Sequence, residues 1–338
     1  MLHDGPNCRD AGRVLPLAGR TPRGRQQASR GREASRAHLD IVQQCGVVTT
    51  LSHSPGTVFE DQQRRSIVNP VKTAVVHRRL ADQLWQADQT AVPIPPLTDQ
   101  HPDLSIEDAY AIQSVNIDRR IQNGERICGR KIGLTSQPMQ ELLGVDEPDY
   151  GVLLDGMFVE DGDEIDLGRL VQPRVEAEMA FIMERDLEGP GANTASALRA
   201  IAGVLPAVEI VDSRVADWKI KLVDTVADNA SSGLIVMGGR LRRVDELDLR
   251  LVGVAVSRGG ELIDTGAGAA ALGNPARCVA WLANKLASFG AKLNAGDVVL
   301  PGAVHKMVPV QPSDVFRAEF AHLGAVTVRF SRKSTSAA

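Results

Sequence analysis

The stretch QPRVEAEMAFI, residues 172–182, places two carboxylates inside an apolar run. Its alternating pattern predicts a β-strand, in which residues two apart point to the same face. Glu176 and Glu178 therefore project together, and the apolar residues around them pack on the other side. Two buried carboxylates lose hydration and repel each other, and a divalent cation with oxygen ligands relieves both costs. The strand thus predicts a third carboxylate close by.

The third carboxylate is best supplied by Glu209, a lone acid in the strand-like run PAVEIVDSR, with Asp212 as a weaker alternative. Three oxygen ligands without an accompanying His or Cys suit Mg²⁺ or Mn²⁺ better than zinc. A second interpretation stays open, because E-x-E strands are common. In it, Glu176 and Glu178 lie on a solvated sheet face, and the lone acid pairs with an arginine such as Arg214.

Three further segments carry polar residues of interest. In GRKIGLTS, Lys131 stands among glycines and apolar residues, where it could donate a proton or hold an oxyanion beside a metal. An ordinary surface lysine is the alternative. The remaining candidates are Asp149 and Asp155 in DEPDYGVLLDGM, and Asn229, Ser231 and Ser232 in VADNASSG. Turn and loop formation would also explain these residues, since such residues dominate turns.

The body of the chain, residues 71–338, predicts a single α+β domain. A helical repeat begins near Val76, and Ser105 and Asn274 are N-cap residues for two further helices. From about residue 127 to 260, short apolar runs separated by Gly, Asp and Pro predict strands, and the chain ends in more strands. Many strands with few helices favour an α+β domain over a doubly wound sheet.

Residues 1–70 differ from this body in composition. They contain ten arginines, six acidic residues and no lysine, and GRTPRGRQQASRGREASR is rich in Arg, Gly and Ser. Without a sustained hydrophobic period, such a segment predicts disorder. An RNA-binding or targeting arm is the functional alternative, which the interspersed acidic residues weaken. An upstream extension or a wrongly assigned start is the favoured explanation.

Composition argues against several classes of protein. No apolar run approaches the roughly 20 residues that span a bilayer, and the N-terminus has no apolar signal region, so no membrane association is expected. The four cysteines form no C-x-x-C pair, which argues against a zinc site or disulfide framework and favours the cytoplasm. The net charge of -4 combines +4 in residues 1–70 with -8 in the body, and an acidic body disfavours nucleic acid as a partner.

Five segments of the chain together resemble one family. They are GRKIGLTSQPMQELLGVDEPDYGVLLDGM, QPRVEAEMAFIMERDLEGPG, PAVEIVDSR, DNASSG and LGNPARCVAWLANKLASFG. In this order they resemble the 2-hydroxypenta-2,4-dienoate hydratases, also called 2-oxopent-4-enoate or 2-keto-4-pentenoate hydratases, of the fumarylacetoacetate hydrolase superfamily. The resemblance covers about residues 71–332, and the N-terminal segment has no counterpart.

This resemblance implies an α+β fold with a mixed β-roll core and flanking helices, and a homo-oligomer. It implies that Glu176, Glu178 and Glu209 hold Mg²⁺ or Mn²⁺. Lys131 and Asp149 would be the proton-transfer residues of water addition to 2-hydroxypenta-2,4-dienoate, or an alkyl homologue, in aromatic meta-cleavage catabolism. The product would be 4-hydroxy-2-oxopentanoate. The expected substrate contacts are Asp155, Asn229, Ser231, Gly302 and His305.

One segment departs from the family pattern. Several relatives carry Gly-Ser-x-Thr near the end, where this chain has Gly302, Ala303, Val304 and His305. Hydroxyl groups that could hold the substrate carboxylate are therefore missing. His305 could replace them as a hydrogen-bond donor, although a lone histidine is more often structural. This departure bears on the substrate and leaves the expected fold unchanged.

Three competing functions stay open. The 2-oxo-3-hexenedioate (4-oxalocrotonate) decarboxylases resemble the hydratases in fold and metal site, and their substrate carries a second carboxylate. Its candidate cationic contacts are Arg130, Arg174 and His305. An acylpyruvate-type C–C hydrolase would need a water-activating histidine, either His305 or His322. A non-catalytic subunit that supports a pathway decarboxylase or aldolase is the third possibility, and retention of the acidic cluster and the lysine argues against it.

Overall fold

The computed structural model describes residues 70–137, 140–141 and 144–332, with side chains from residue 73 onward. Except for residue 70, the predicted N-terminal extension lies outside the described residues, and its disorder stays a prediction. Across the described ranges, none of the helices combines the length and the hydropathy that a membrane crossing requires.

Helices and strands mix along the chain, as expected for an α+β protein. The described helices are α1 (Pro70–Thr90), α2 (Leu97–Gln100), α3 (Ile106–Gln122), α4 (Thr194–Ala200), α5 (Leu222–Ala227) and α6 (Pro275–Ala287). The strands of the first half are β1 (Ile127–Gly133), β2 (Asp149–Leu154), β3 (Phe158–Val159), β4 (Glu164–Ile165), β5 (Pro173–Met183) and β6 (Ile201–Asp212). The later strands are β7 (Ser232–Met237), β8 (Gly253–Arg258), β9 (Glu261–Ala267), β10 (Val298–Leu300), β11 (Val308–Pro309), β12 (Val315–Phe320) and β13 (Gly324–Phe330).

The strands of the described residues form two sheets. The first has eight strands in the order β2-β1-β10-β5-β6-β7-β3, with β11 added beside β5. The second has five strands in the order β4-β13-β12-β8-β9. Most neighbouring strands are antiparallel, whereas β1 with β10, β3 with β7 and β4 with β13 are parallel. Both sheets are therefore mixed, and the α+β prediction is confirmed.

Strand β5 separates two apolar regions. On one face, Ala177 and Met179 join the large core cluster, to which α6 also contributes. The opposite face, which carries Ala180, Glu178 and Glu176, is termed the inner face. A smaller apolar cluster fills one end of the inner face and includes Leu153, Ala180, Ala207, Ile235 and Leu300. The two carboxylates of β5 follow directly beyond this cluster.

Two predicted helix starts are confirmed. Ser105 Oγ accepts a hydrogen bond from the Asp108 N–H, and Asp108 accepts one from the Ser105 N–H in return, so α3 begins with a capping box. The Asn274 side chain accepts from the Ala276 N–H at the start of α6. Pro275 occupies the first helical position, where its missing N–H would have no partner in the helix anyway.

A buried ion pair ties the end of β6 to the start of β7. Arg214 Nε lies 2.5 Å from Asp228 Oδ1, and the Arg214 backbone N–H donates to Asp228 Oδ2 at 2.9 Å. Arg214 Nη1 also donates to the Ser232 carbonyl at 2.9 Å. Only 8% of the Arg214 side chain and 2% of the Asp228 side chain are exposed. These contacts fix the turn that precedes β7.

We expect Asp228→Ala to lower the free energy of unfolding by about 3–5 kcal/mol, because Arg214 would then be a buried charge without its carboxylate. Urea denaturation of the full chain measures the change. Asp245→Ala is the control, since it breaks an exposed, solvent-screened pair with Arg243 and should leave the free energy of unfolding nearly unchanged. Equal losses in both variants would contradict a special contribution of the buried pair.

Candidate metal and catalytic site

Three carboxylates meet on the inner face of the first sheet. The register pairs Glu176 of β5 directly with Glu209 of β6, and Glu178 lies two residues further along the same face of β5. One ligand oxygen from each residue lies within 4.8 Å of the other two. The structure therefore brings together the three residues that the alternation and the lone acid singled out.

This cluster suits a cation because it is buried and offers free acceptor atoms. Glu178 and Glu209 are each 1% exposed, which rules out the solvated-face interpretation for them. Within the described residues, Glu209 Oε2 has no hydrogen-bond partner, and Glu209 Oε1 has the ammonium of Lys131 at ion-pair distance. Glu178 Oε2 accepts from the Gly302 N–H at 2.9 Å. Unpartnered buried oxygens on converging carboxylates match the ligand preference of a hard divalent cation.

Lys131 and Asp149 reach the same cluster from neighbouring strands. Lys131 of β1 is 4% exposed, and Asp149 of β2 is 2% exposed. Lys131 Nζ lies 3.3 Å from Glu209 Oε1 and donates to the Ala230 carbonyl at 3.0 Å. Asp149 Oδ1 is buried and has no hydrogen-bond partner in the described part of the chain. One lysine and four carboxyl groups thus share a single buried site.

Burial changes the protonation of this site. Desolvation, with a contribution from neighbouring Glu209, raises the pKa of Glu176 to about 7. Desolvation also raises the pKa values of Glu178 and Asp149. Burial would lower the pKa of Lys131, but the surrounding carboxylates outweigh it and raise that pKa above its ordinary value. Lys131 is therefore a cation at neutral pH, which offsets part of the negative charge.

Two glycines, which the sequence-based reasoning missed, make room for these side chains. Gly133 pairs with Asp149 in the register of β1 and β2, and a Cβ at Gly133 would lie 2.2 Å from Asp149 Oδ1. Gly151 pairs with Lys131, and a Cβ there would lie 2.4 Å from the Asn229 carbonyl oxygen. Glycine inside a strand is the signal that could have identified them, since it often marks a close approach of other groups.

The turn before β7 contributes its backbone to the site. Asn229 Oδ1 accepts from the Val152 N–H, and the Asn229 amide donates to the Val152 carbonyl. Ser231 Oγ lies 3.3 Å from Thr225 Oγ1. The group that reaches the lysine is the Ala230 carbonyl. Both side chains bond to the protein frame, so the structure gives no support to the predicted substrate contacts of Asn229 and Ser231.

Asp155 lies away from the cluster, which corrects its assignment as a substrate contact. It follows the last residue of β2, at the opposite end from Asp149, and six residues of strand span about 20 Å. Its carboxylate accepts from the Arg126 backbone N–H and from Arg126 Nε, each at 3.0 Å. The turn explanation therefore accounts for this residue.

Gly302 and His305 lie beside the cluster in different roles. The backbone of Gly302 has φ of 113°, and a Cβ there would lie 1.9 Å from Thr135 Oγ1, so the N–H that binds Glu178 requires glycine at this position. The His305 side chain is 0% exposed, and its Nε2 accepts the Ala177 N–H at 2.7 Å. His305 thus completes the hydrogen bonding of β5, and the structural explanation of this histidine is the one supported.

Asp212 and Arg214 form structural contacts outside the group of three carboxylates. Asp212 accepts hydrogen bonds from two backbone N–H groups of the segment before β5, so it does not join the three carboxylates. Arg214 pairs with Asp228, whereas the solvated-face interpretation required it to pair with Glu209. Both residues therefore stabilise the ends of β5 and β6 instead of contributing ligands.

Arg130 and Arg174 differ in their relation to the site. Arg130 precedes Lys131 on β1, and strand alternation directs it to the opposite face of the sheet. Arg174 lies two residues before Glu176, on the inner face. Its guanidinium stacks 4.5 Å from the centroid of the Trp218 ring. Arg174 is consequently the better placed of the two cations for a second carboxylate on a substrate.

Several known proteins are similar to this chain in sequence. The family model for the fumarylacetoacetate (FAA) hydrolase C-terminal region matches residues 122–331. A 2-keto-4-pentenoate hydratase from Paraburkholderia xenovorans (strain LB400) is 51% identical over 250 residues, which cover 74% of this chain and 93% of that protein. A 2-hydroxypent-2,4-dienoate hydratase from Pseudomonas putida is 49% identical over 212 residues, which cover 62% of this chain and 96% of that protein.

Similarity also extends to solved structures. The 4-oxalocrotonate decarboxylase from Pseudomonas putida G7, complexed with magnesium and adipate, is 36% identical with a TM-score of 0.75. The match covers 79% of this chain and 100% of that chain. A second structure of that decarboxylase, complexed with calcium and acetate, gives a TM-score of 0.73. The two complexes show that a protein of this fold binds a divalent metal.

Substitution of residues that only support metal ligands typically weakens metal binding about 10–100-fold. We expect Glu209→Gln to weaken Mn²⁺ binding by more than this, because a neutral amide replaces an anionic ligand. Calorimetric titration of the full chain with MnCl₂ measures the affinity. Glu261→Gln, at an exposed position on β9, is the matched control and should bind like the unchanged protein. Equal affinity of the Glu209 variant and the control would contradict the metal site.

Proposed function

The chain belongs to the fumarylacetoacetate hydrolase family, and we propose that it is a metal-dependent hydratase. Its substrate is 2-hydroxypenta-2,4-dienoate or an alkyl homologue, its product is 4-hydroxy-2-oxopentanoate, and its pathway is aromatic meta-cleavage catabolism. One observation carries the proposal: Lys131 Nζ, the Asp149 carboxylate and three converging glutamates share one buried site. The identities of 51% and 49% to two named hydratases support it.

Glu176, Glu178 and Glu209 are the residues that would hold Mg²⁺ or Mn²⁺. Their oxygens suit a hard cation, and two of the three side chains are buried. A metal ion in this position would supply Lewis-acid stabilisation to negative charge on the substrate's carboxylate and 2-oxygen. The Gly302 N–H holds Glu178 in place, which limits the motion of one ligand.

Lys131 serves the proton movement at the enol. The surrounding carboxylates keep Lys131 cationic, and its bond to the Ala230 carbonyl fixes the direction of the ammonium group. When the 2-hydroxydienoate becomes a 2-oxo compound, the hydroxyl loses its proton and C5 gains one. An ammonium group beside the 2-oxygen stabilises the negative charge of the enolate that forms between these events.

Asp149 is the general base for water addition. The 2-oxo-3-ene formed by ketonisation is electrophilic at C4. Water forms a bond to C4 while one of its protons passes to Asp149, and C3 then receives a proton to complete the addition. Burial raises the pKa of Asp149 above the usual aspartate value, which moves its basicity towards the working pH.

A 4-oxalocrotonate decarboxylase is the second candidate, and two observations favour it. The decarboxylase structure covers 79% of this chain with a TM-score of 0.75. Arg174 lies on the inner face near Glu176, where a diacid could place its second carboxylate. The identity of 36% to that enzyme is lower than the 51% to the hydratase, so the hydratase is preferred.

The C–C hydrolase and the non-catalytic subunit receive less support. The hydrolase needs a histidine that activates water, but the lone pair of His305 Nε2 is bonded to the Ala177 N–H. His322 is exposed in the turn between β12 and β13. The buried charge of the acidic cluster argues for catalysis over a silent subunit. A homo-oligomer, association with a pathway decarboxylase or aldolase, and a cytoplasmic location stay predictions.

The function is tested with freshly generated 2-hydroxypenta-2,4-dienoate and, separately, 2-oxo-3-hexenedioate. Each is incubated with the full chain and Mg²⁺ or Mn²⁺, and then with excess EDTA. We expect metal-dependent conversion of the dienoate to 4-hydroxy-2-oxopentanoate. Ultraviolet absorbance measures loss of the dienoate, and the product is identified separately. Release of CO₂ from the diacid without conversion of the dienoate would transfer the assignment to the decarboxylase.

Substitution of either proton-transfer residue should reduce turnover. We expect Lys131→Ala and Asp149→Asn each to lower kcat by about 10²–10⁴-fold, the usual contribution of a positioned acid or base. Steady-state kinetics with saturating Mg²⁺ measures the loss. Asp155→Asn is the matched control and should retain activity, because this aspartate bonds to Arg126 and Gly156 beyond the far end of β2. Loss of activity in the control alone would contradict the assignment.

A further inference from the structure

Ser232 carries a buried hydroxyl that the proton transfers of Lys131 and Asp149 do not use. It is the first residue of β7 and is 3% exposed. Across the described ranges, Ser232 Oγ has no hydrogen-bond partner. Its neighbour Ser231 is equally buried, but the Ser231 hydroxyl lies 3.3 Å from Thr225 Oγ1. A buried hydroxyl without a partner is uncommon and calls for a physical explanation.

A β-bulge turns Ser232 towards the site. The ladder of β6 and β7 pairs Ile210 with Leu234, but then pairs Val211 with Ser232, so Gly233 is an extra residue. In an unbroken ladder Val211 would face Gly233, and Ser232 would point to the other side of the sheet. Because of the bulge, the Ser232 side chain points to the same face of the sheet as Val211. Glu209, two residues before Val211 on β6, points to that face as well.

The glycine at position 151 places this hydroxyl beside the catalytic residues. An ideal Cβ at Gly151 would lie 2.9 Å from Ser232 Oγ, so the hydroxyl takes the position that a side chain would otherwise fill. Gly151 pairs with Lys131 and lies two residues after Asp149 on the same face of β2. The Ser232 hydroxyl therefore lies against Gly151, on the face that Lys131 and Asp149 share.

Hydrogen bonds within the protein already hold the segment that carries the Ser232 hydroxyl. Arg214 Nη1 donates to the Ser232 carbonyl at 2.9 Å, and Lys131 Nζ donates to the Ala230 carbonyl at 3.0 Å. Asn229 makes two hydrogen bonds with the backbone of Val152. Because residues 229–232 are held at these three points, the Ser232 hydroxyl is already in position to bind a ligand beside Lys131 and Asp149.

We propose that Ser232 and Asp149 together bind the water molecule that adds to C4 of the substrate. This role rests on the proposed hydratase function. Asp149 Oδ1 also lacks a partner among the described residues. Ser232 Oγ lies against the Cβ position of Gly151, and Asp149 Oδ1 lies against that of Gly133, so the hydroxyl and carboxylate oxygens are on the same face of β1 and β2 as Lys131.

This arrangement orients the nucleophile. One water hydrogen points to Ser232 Oγ and the other to Asp149 Oδ1, which leaves an oxygen lone pair for C4. As the oxygen bonds to C4, its proton passes to Asp149 and the C3–C4 π electrons move to the 2-oxygen as an enolate. C3 then takes a proton from the solvent, the 2-oxo group re-forms, and Asp149 releases its proton to the solvent. Ser232 keeps its own proton throughout. It is thus a catalytic residue for hydration, with no part in the earlier ketonisation.

The test separates these two steps. Ser232→Ala and Ser232→Gly are compared with Ser231→Ala, the matched control, in D₂O with Mg²⁺. Proton NMR follows the dienoate, the ketonised 2-oxopent-3-enoate and the hydrated product. We expect both Ser232 variants to hydrate about 10–100-fold more slowly while ketonisation continues, so that 2-oxopent-3-enoate accumulates. KM should change by less than about threefold, and the Ser231 variant should match the unchanged protein.

Three results would overturn the proposal. Hydration at the normal rate in both Ser232 variants would show that the hydroxyl is not needed. A rise in KM with an unchanged ratio of hydrated to ketonised product would show that Ser232 binds the substrate instead of water. Parallel loss of both steps with a lower unfolding midpoint would show a structural role. If the unchanged protein converts no dienoate, the hydratase function itself fails, and that result is distinct from the other three.

Discussion

Burial of negative charge is the constraint on which the rest of this structure depends. Glu176, Glu178 and Glu209 converge inside the first sheet, where each anion loses hydration. Lys131 offsets part of that charge and is held in turn by the Ala230 carbonyl. The three carboxylates also offer oxygen ligands to a divalent cation. Charge balance and catalytic chemistry therefore depend on the same contacts.

The order of the strands is what assembles this site. Strand β10, from late in the chain, inserts between β1 and β5, so that Lys131 and Glu178 share one inner face. The small apolar cluster closes one end of that face, and the ionisable side chains occupy the region beyond it. Gly133 and Gly151 supply the space that these side chains need. The apolar packing thus limits how far the polar groups can move.

Several polar side chains beside the site form hydrogen bonds to neighbouring strands and turns, and so stabilise the protein around the site. The Asn229 side chain bonds to β2, and His305 completes the hydrogen bonding of β5. The pair of Arg214 and Asp228 fixes the turn between α5 and β7. Because these groups are already bonded, the unpartnered buried atoms within the described ranges become informative, and Glu209, Asp149 and Ser232 carry several of them. Polar groups around the site that already have their hydrogen bonds keep the reactive side chains in place.

The sequence by itself determined the features that depend on local geometry. The alternation over residues 172–182 put two carboxylates on one face because the strand repeat is two, and Ser105 marked a helix start because its side chain caps the nearby N–H groups. Lys131 and Asp149 were candidates from their local sequence, but their joint role in proton transfer came only from the family resemblance, since their meeting depends on register. Tertiary structure alone decided which hydroxyl of the described turn is free, Ser232 and not its neighbour. Hydrogen-bond partners come from strands distant in sequence, and a one-residue bulge reverses the side to which a side chain points.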